Sequence, residues 1–125
     1  LGLIAEYASP WLLTRLVGLA HATDLLLTGR TLSADQALAI GLVNDVSDDA
    51  LAQAMAWARE VADLSSPSST AVMKRQLLAV DSETLDEALE SSMAHMQRAF
   101  LRPDLGEAIT ARIEKRAPRF PPRAD

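Results

Sequence analysis

The chain has 125 residues, with 12 basic against 17 acidic side chains for a net charge of −5, 49% apolar residues and no cysteine. That composition suits one folded domain of ordinary size and is too apolar for a disordered chain. It argues against non-specific nucleic-acid binding, which needs a cationic surface, and excludes disulfides, thiol catalysis and thiolate metal sites.

The longest apolar runs, such as Leu25-Leu26-Leu27, are far too short to span a bilayer. The lack of cysteine fits a cytoplasmic protein. Leu1-Gly2-Leu3-Ile4 is an apolar opening, where natural termini are more often polar and frayed, so the chain is expected to begin inside a folded unit.

Helix punctuation is frequent. Ser9-Pro10 reads as an N-cap followed by proline at the first helical position, where no N–H is lost. That helix is expected to reach Gly18, and a second to run from about His21 to Thr28 and stop at Gly29. Ser33-Ala34-Asp35-Gln36 is a capping box opening a short helix that ends at Gly41. Leu42-Val43-Asn44-Asp45-Val46 is rich in β-branched residues and reads as a short strand, with Gly29-Arg30-Thr31-Leu32 available to pair with it.

Asp48 is expected to cap a longer helix over about 49–64, with Leu51, Met55, Ala58 and Ala62 on one face. Ser65-Ser66-Pro67 breaks it and caps the next, over about 67–79. Thr84-Leu85-Asp86-Glu87 is a second capping box, opening a helix with Leu85, Leu89, Met93, Met96 and Phe100 on one side. Pro103 starts a last helix with Leu105, Ile109 and Ile113 inward, and Pro118 and Pro121-Pro122 end regular structure. The expected fold is mainly α, about seven helices plus a short strand pair. Several helices are apolar on more than one side, which calls for burial by a further layer.

Most standard chemistry finds no motif. There is no glycine-rich phosphate loop, no His-Glu-x-x-His pattern and no Gly-x-Ser-x-Gly elbow. His21 and His95 read as capped or core-edge histidines, and Met55, Met73, Met93 and Met96 as core filler. The acidic run Asp81, Glu83, Asp86, Glu87, Glu90 reads as a solvated helix face. The end of the chain is basic, with Arg112, Lys115, Arg116, Arg119 and Arg123 against Glu114 and Asp125, and a local patch of this kind suffices for a small anion.

Two residues remain as candidates. Glu6 follows Leu3-Ile4-Ala5 at a helix entry. It is either an exposed loop glutamate or a carboxylate whose apolar neighbours suit it to general acid–base work. Lys115, late in the last helix beside Arg116 and one turn after Arg112, either complements the helix C-terminus or binds an anion.

Read in order, Leu13-Thr14-Arg15-Leu16-Val17-Gly18, Leu25-Leu26-Leu27-Thr28-Gly29-Arg30, Ser33-Ala34-Asp35-Gln36-Ala37-Leu38 and Gly41-Leu42-Val43-Asn44 resemble the second half of the crotonase family, the enoyl-CoA hydratases and isomerases. Phe100-Leu101-Arg102-Pro103-Asp104-Leu105-Gly106-Glu107 and Ile113-Glu114-Lys115-Arg116-Ala117-Pro118-Arg119-Phe120 are similar to that family's C-terminal end. The resemblance is collinear over nearly the whole chain. It implies the C-terminal part of the α/β crotonase (ClpP/crotonase-like) fold, with residues 1–65 as the end of the core and 66–125 as a helical assembly region.

The resemblance also implies a function: a lyase or isomerase acting on acyl-CoA thioesters. Two backbone N–H groups hold the thioester enolate, and carboxylates move protons. No metal or redox cofactor is implied, coenzyme A being part of the substrate. The oxyanion donors and the first catalytic carboxylates fall outside this chain, so the fragment alone is expected to be inactive.

Typical hydratases carry a glycine-rich turn where this chain has Ala5-Glu6-Tyr7-Ala8-Ser9. By position Glu6 resembles the catalytic aspartate of dienoyl-CoA isomerases. Lys115 matches a position that contacts CoA phosphate, often from a neighbouring subunit. Phe100 lies in a region that approaches the adenine, with core packing as its other role. The implied assembly is a homotrimer or a dimer of trimers, without nucleic acid or membrane. The alternative function is a non-catalytic helical oligomerisation fragment of a crotonase-like protein.

Overall fold

The computed structural model describes residues 2–122. Leu1, where the apolar opening begins, and Arg123 and Asp125 of the basic end lie outside them. The described residues form six helices: α1 Ser9–Thr28, α2 Ala34–Ala39, α3 Ala50–Leu64, α4 Pro67–Ala79, α5 Leu85–Phe100 and α6 Pro103–Glu114. The chain divides into two compact units, Leu1–Ala50 and Leu51–Asp125. No helix among the described residues is long and apolar enough to cross a membrane.

In the first unit the two expected helices at the start are one. Gly18 does not stop α1; it adopts φ 78°, ψ 163° inside it and kinks it. A side chain strongly disfavours that backbone conformation, so glycine permits the bend. The cap also differs from expectation. Helix α1 is preceded by Ala8 in the left-handed region, and Ser9 already lies in the first turn, its hydroxyl donating to the Glu6 carbonyl. At the other end Gly29, φ 61°, closes α1 with its N–H on the Leu25 carbonyl at 2.9 Å. The capping box on α2 is complete: Gln36 N–H donates to Ser33 Oγ at 3.2 Å and Ser33 N–H to Gln36 Oε1 at 2.9 Å.

The expected strand pair does not form, and no strand occurs among the described residues. A β-branched run becomes a strand only with a hydrogen-bonded neighbour. Leu42, Val43 and Asn44 form bends, Asp45 and Val46 are irregular, and Gly29–Leu32 is irregular chain between α1 and α2.

In the second unit local signals hold. Ser66 caps α4 by accepting from Ser69 N–H at 3.1 Å. Thr84 and Glu87 complete the capping box on α5, which draws the Glu87 carboxyl below its usual range through the Thr84 N–H. Helix α4 packs on α5 and α5 on α6. One polar contact ties distant segments: Ser66 Oγ donates to Asp104 Oδ2, both groups buried. A single serine thus caps α4 with its oxygen and anchors the start of α6 with its proton.

The apolar faces are not covered within the chain. Leu85, Leu89, Met93, Met96 and Phe100 of α5 are all exposed, as are Leu105, Ile109 and Ile113 of α6, which the periodicity placed inward. No large side chain among the described residues is fully buried. The accessible surface is 10340 Å², whereas even two separate globules sharing this mass would expose only roughly 8,000 Å². Large apolar side chains exposed on every one of these helices contribute to the excess.

Candidate active site

Glu6 lies in the first unit, just before two consecutive non-glycine residues with left-handed backbone, Tyr7 at φ 53° and Ala8 at φ 56°. Such a pair is uncommon, because each Cβ crowds its own carbonyl, at a cost of about 1 kcal/mol per residue. The turn is stitched by Ser9 N–H to Glu6 O at 3.0 Å and Trp11 N–H to Ala8 O at 3.0 Å. It projects Glu6 and Tyr7 into solvent: the environment expected for Glu6, amid apolar neighbours, is absent from this unit, and both residues are exposed. The structure therefore supplies a shaped, outward-facing carboxylate at a helix entry.

Lys115 and Phe100 belong to the second unit. Lys115 is not within the last helix, as its spacing indicated. It is the residue that closes α6, left-handed at φ 54°, ψ 40°. Its N–H reaches the Arg112 carbonyl at 3.4 Å, and the Arg116 N–H bonds to the Ala111 carbonyl at 3.0 Å. Both bonds satisfy carbonyls that a helix end leaves open. Phe100 ends α5 with 63% of its surface exposed, so core packing within this chain is not its role.

The sequence reading overlooked what holds Lys115 in place. Arg116 reaches back to α6 and makes paired bonds with Glu107, and its Nε bonds Glu114 Oε2 at 2.6 Å. The Arg119 N–H adds a further bond to Glu107 Oε1 at 2.6 Å. These donors hold the Glu107 carboxyl down at about 2, and the same carboxylates raise the Arg116 guanidinium further still. The only advance signal was a glutamate one helix length before a basic end, which many helices share.

No group of three or more His, Asp or Glu side chains among the described residues is arranged to hold a metal ion. His21 borders a hollow of about 200 Å³ between α1 and α2, and His95 is half-buried between α4 and α5.

The described residues thus give an outward carboxylate on a left-handed turn in the first unit, and in the second a lysine at the last helix end beside uncovered apolar faces. The family profile for enoyl-CoA hydratase/isomerase matches residues 1–123, and the chain belongs to that family. A Thermus thermophilus relative assigned to the enoyl-CoA hydratases is 41% identical over 124 residues, covering 96% of this chain and 47% of that protein. The 1,2-epoxyphenylacetyl-CoA isomerase of Escherichia coli is 35% identical over 123 residues, covering 96% of this chain and 46% of that protein. The crystal structure of an assigned enoyl-CoA hydratase/isomerase from Mycobacterium abscessus superposes with a TM-score of 0.91 at 32% identity, over 98% of this chain and 49% of that one. The chain spans about half the length of the relatives it matches.

Proposed function

We propose that this chain is the helical part of an acyl-CoA-processing enzyme of the hydratase/isomerase type. The substrate is an acyl-CoA thioester, whose enolate is held by backbone N–H groups outside this chain. Glu6 removes a proton from one carbon of the acyl chain and, as the acid so formed, returns a proton at another. Lys115 meets a CoA phosphate as a point charge, and Phe100 offers an exposed ring to the adenine. The reaction read this way runs on proton transfer and fixed dipoles, with coenzyme A entering only as part of the substrate. Lack of cysteine is in keeping with a cytoplasmic site of action.

The observation that carries this reading is the turn itself. Where the resemblance implies a glycine-rich turn, this chain holds left-handed backbone at Tyr7 and Ala8 and sets a carboxylate beside it. Relatives named as hydratases and as an isomerase both match, so the family alone does not choose the reaction. The test is turnover of crotonyl-CoA and of a dienoyl-CoA by the full-length protein carrying Glu6→Gln. A loss of about 10²–10⁴ in kcat on one of the two substrates is expected of a general acid–base group. Unchanged rates on both remove Glu6 from the mechanism.

A second reading has its own observation. The apolar face of α5, continued by Ile109 and Ile113 of α6, is exposed, which favours a helical assembly module, in a homotrimer or a dimer of trimers. Residues 66–125 would then serve assembly, and 1–65 the end of the catalytic core. Light scattering on the isolated chain discriminates, since a well-folded monomer counts against an assembly role.

A further inference from the structure

Between α4 and α5, within the second unit, lies a cavity of about 490 Å³. Three arginines from different elements line it: Arg75 of α4, Arg98 in the last turn of α5 and Arg102 at the N-cap of α6. Half-buried His95 also faces it, and no carboxylate is among its lining residues. None of the three guanidinium groups has an acidic partner among the described residues, whereas Arg30 pairs with Asp24 and Arg116 with Glu107 and Glu114. In a chain with five more acidic than basic side chains, three unpaired cations around one concavity repel one another unless an anion joins them.

The cavity is held open by side chains as well as backbone. Gln76 Nε2 donates to Ser92 Oγ at 3.1 Å, bridging α4 to α5 along its wall. The Ser69 hydroxyl adds a neutral donor, and Met73 and Met96 supply apolar surface. The volume falls in the range of small-molecule sites. Planar guanidinium forks on several sides favour a tetrahedral or multiply charged oxyanion over a single carboxylate.

We propose that this cavity binds an organic phosphate, the arginines taking the phosphate oxygens and the methionines the apolar body. Neither Lys115 nor Phe100 is among its lining residues, and the site does not depend on the role given to Glu6. The phosphate could be carried by a free nucleotide or by the coenzyme A of the substrate, and competition separates the two.

The test is isothermal titration of the full-length protein with inorganic pyrophosphate and with ADP. Both probes are expected to bind, more weakly as sodium chloride is added. Arg75→Gln and Arg98→Gln are each expected to weaken binding by about tenfold, the usual scale for a lost charge-assisted hydrogen bond. Arg59→Gln, at an exposed arginine of α3 away from the cavity, is expected to leave it unchanged. Should a glutamine variant fail to fold, Arg75→Lys and Arg98→Lys keep the charge, lose the fork and are expected to weaken binding several-fold. Displacement of pyrophosphate by coenzyme A in the wild type, lost in Arg98→Gln, identifies the substrate's own phosphate. Simultaneous binding of the two identifies a free one. Absence of binding by both probes overturns the site, as does binding that survives Arg75→Gln with Arg98→Gln, or binding that is lost with Lys115→Ala instead.

Discussion

Arg116 grips Glu107 with both terminal nitrogens, Nη1 at 2.6 Å from Oε1 and Nη2 at 3.1 Å from Oε2. The pair spans nine residues and folds the chain leaving α6 back onto the helix, with Lys115 at the bend. A bidentate ion pair fixes direction as well as distance, so the presentation of Lys115 depends on a contact in which Lys115 takes no part.

That dependence has a pH signature. The Glu107 carboxyl drops from its ordinary 4.5 to about 2 in the folded chain. A carboxyl depressed on folding stabilises the fold above its unfolded value and loses that contribution as pH falls through the folded one. Thermal melts of the wild type and of Glu107→Gln should differ most above about pH 4.5 and converge between there and about 2. The pair is partly exposed, so added salt should shrink the gap. A gap that stays constant down to pH 2 would show that the pair adds nothing.

Lys115 combines a left-handed backbone with a charge, and one substitution separates them. Lys115→Gly relaxes the φ of 54° and should raise stability by about 0.5–1 kcal/mol, read as a shift in the urea midpoint. If the lysine meets a CoA phosphate, the same variant of the full-length protein should show a higher KM with little change in kcat.

The turn after Glu6 is open to a parallel test. Ala8→Gly should stabilise the fold by about 0.5–1 kcal/mol, since Ala8 holds φ 56° and glycine does so without strain. A lower melting temperature would mean that the gain in unfolded-chain entropy outweighs the relief.

Ser66→Ala removes two bonds at once, the cap to Ser69 N–H and the donation to buried Asp104. A loss of about 1–3 kcal/mol is expected from the cap and the stranded carboxylate together. Ser66→Asp should not rescue it, because it restores the cap acceptor but sets a second carboxylate against Asp104. Chemical denaturation of the three proteins decides the point.

Much of the local structure was legible. The two capping boxes, at Ser33–Gln36 and Thr84–Glu87, formed as their spacing indicated, and Pro67 and Pro103 begin helices. Each signal lies within four residues of the groups it satisfies. Gly18 was misread as a stop because the same freedom of φ serves a helix end or a kink, and flanking residues do not separate the two. The candidate site was legible only in its residue types. Glu6 and Lys115 could be named, but not that each sits at or beside a left-handed turn, nor that Lys115 lies past its helix and not in it.

The sequence by itself determined where α2, α4, α5 and α6 begin, which faces are apolar, and the run of motifs that marks the family, because these depend on neighbouring residues and on periodicity. Tertiary structure alone decided that Ser66 meets Asp104 across 38 residues, that Arg116 returns to Glu107, and that Arg75, Arg98 and Arg102 surround one cavity. It also decided that no strand forms at Leu42–Val46 and that the apolar faces of α5 and α6 stay uncovered in this chain. Pairing, clamping and burial each require a partner distant in sequence. Which partner arrives depends on how the helices pack, and no local pattern records that.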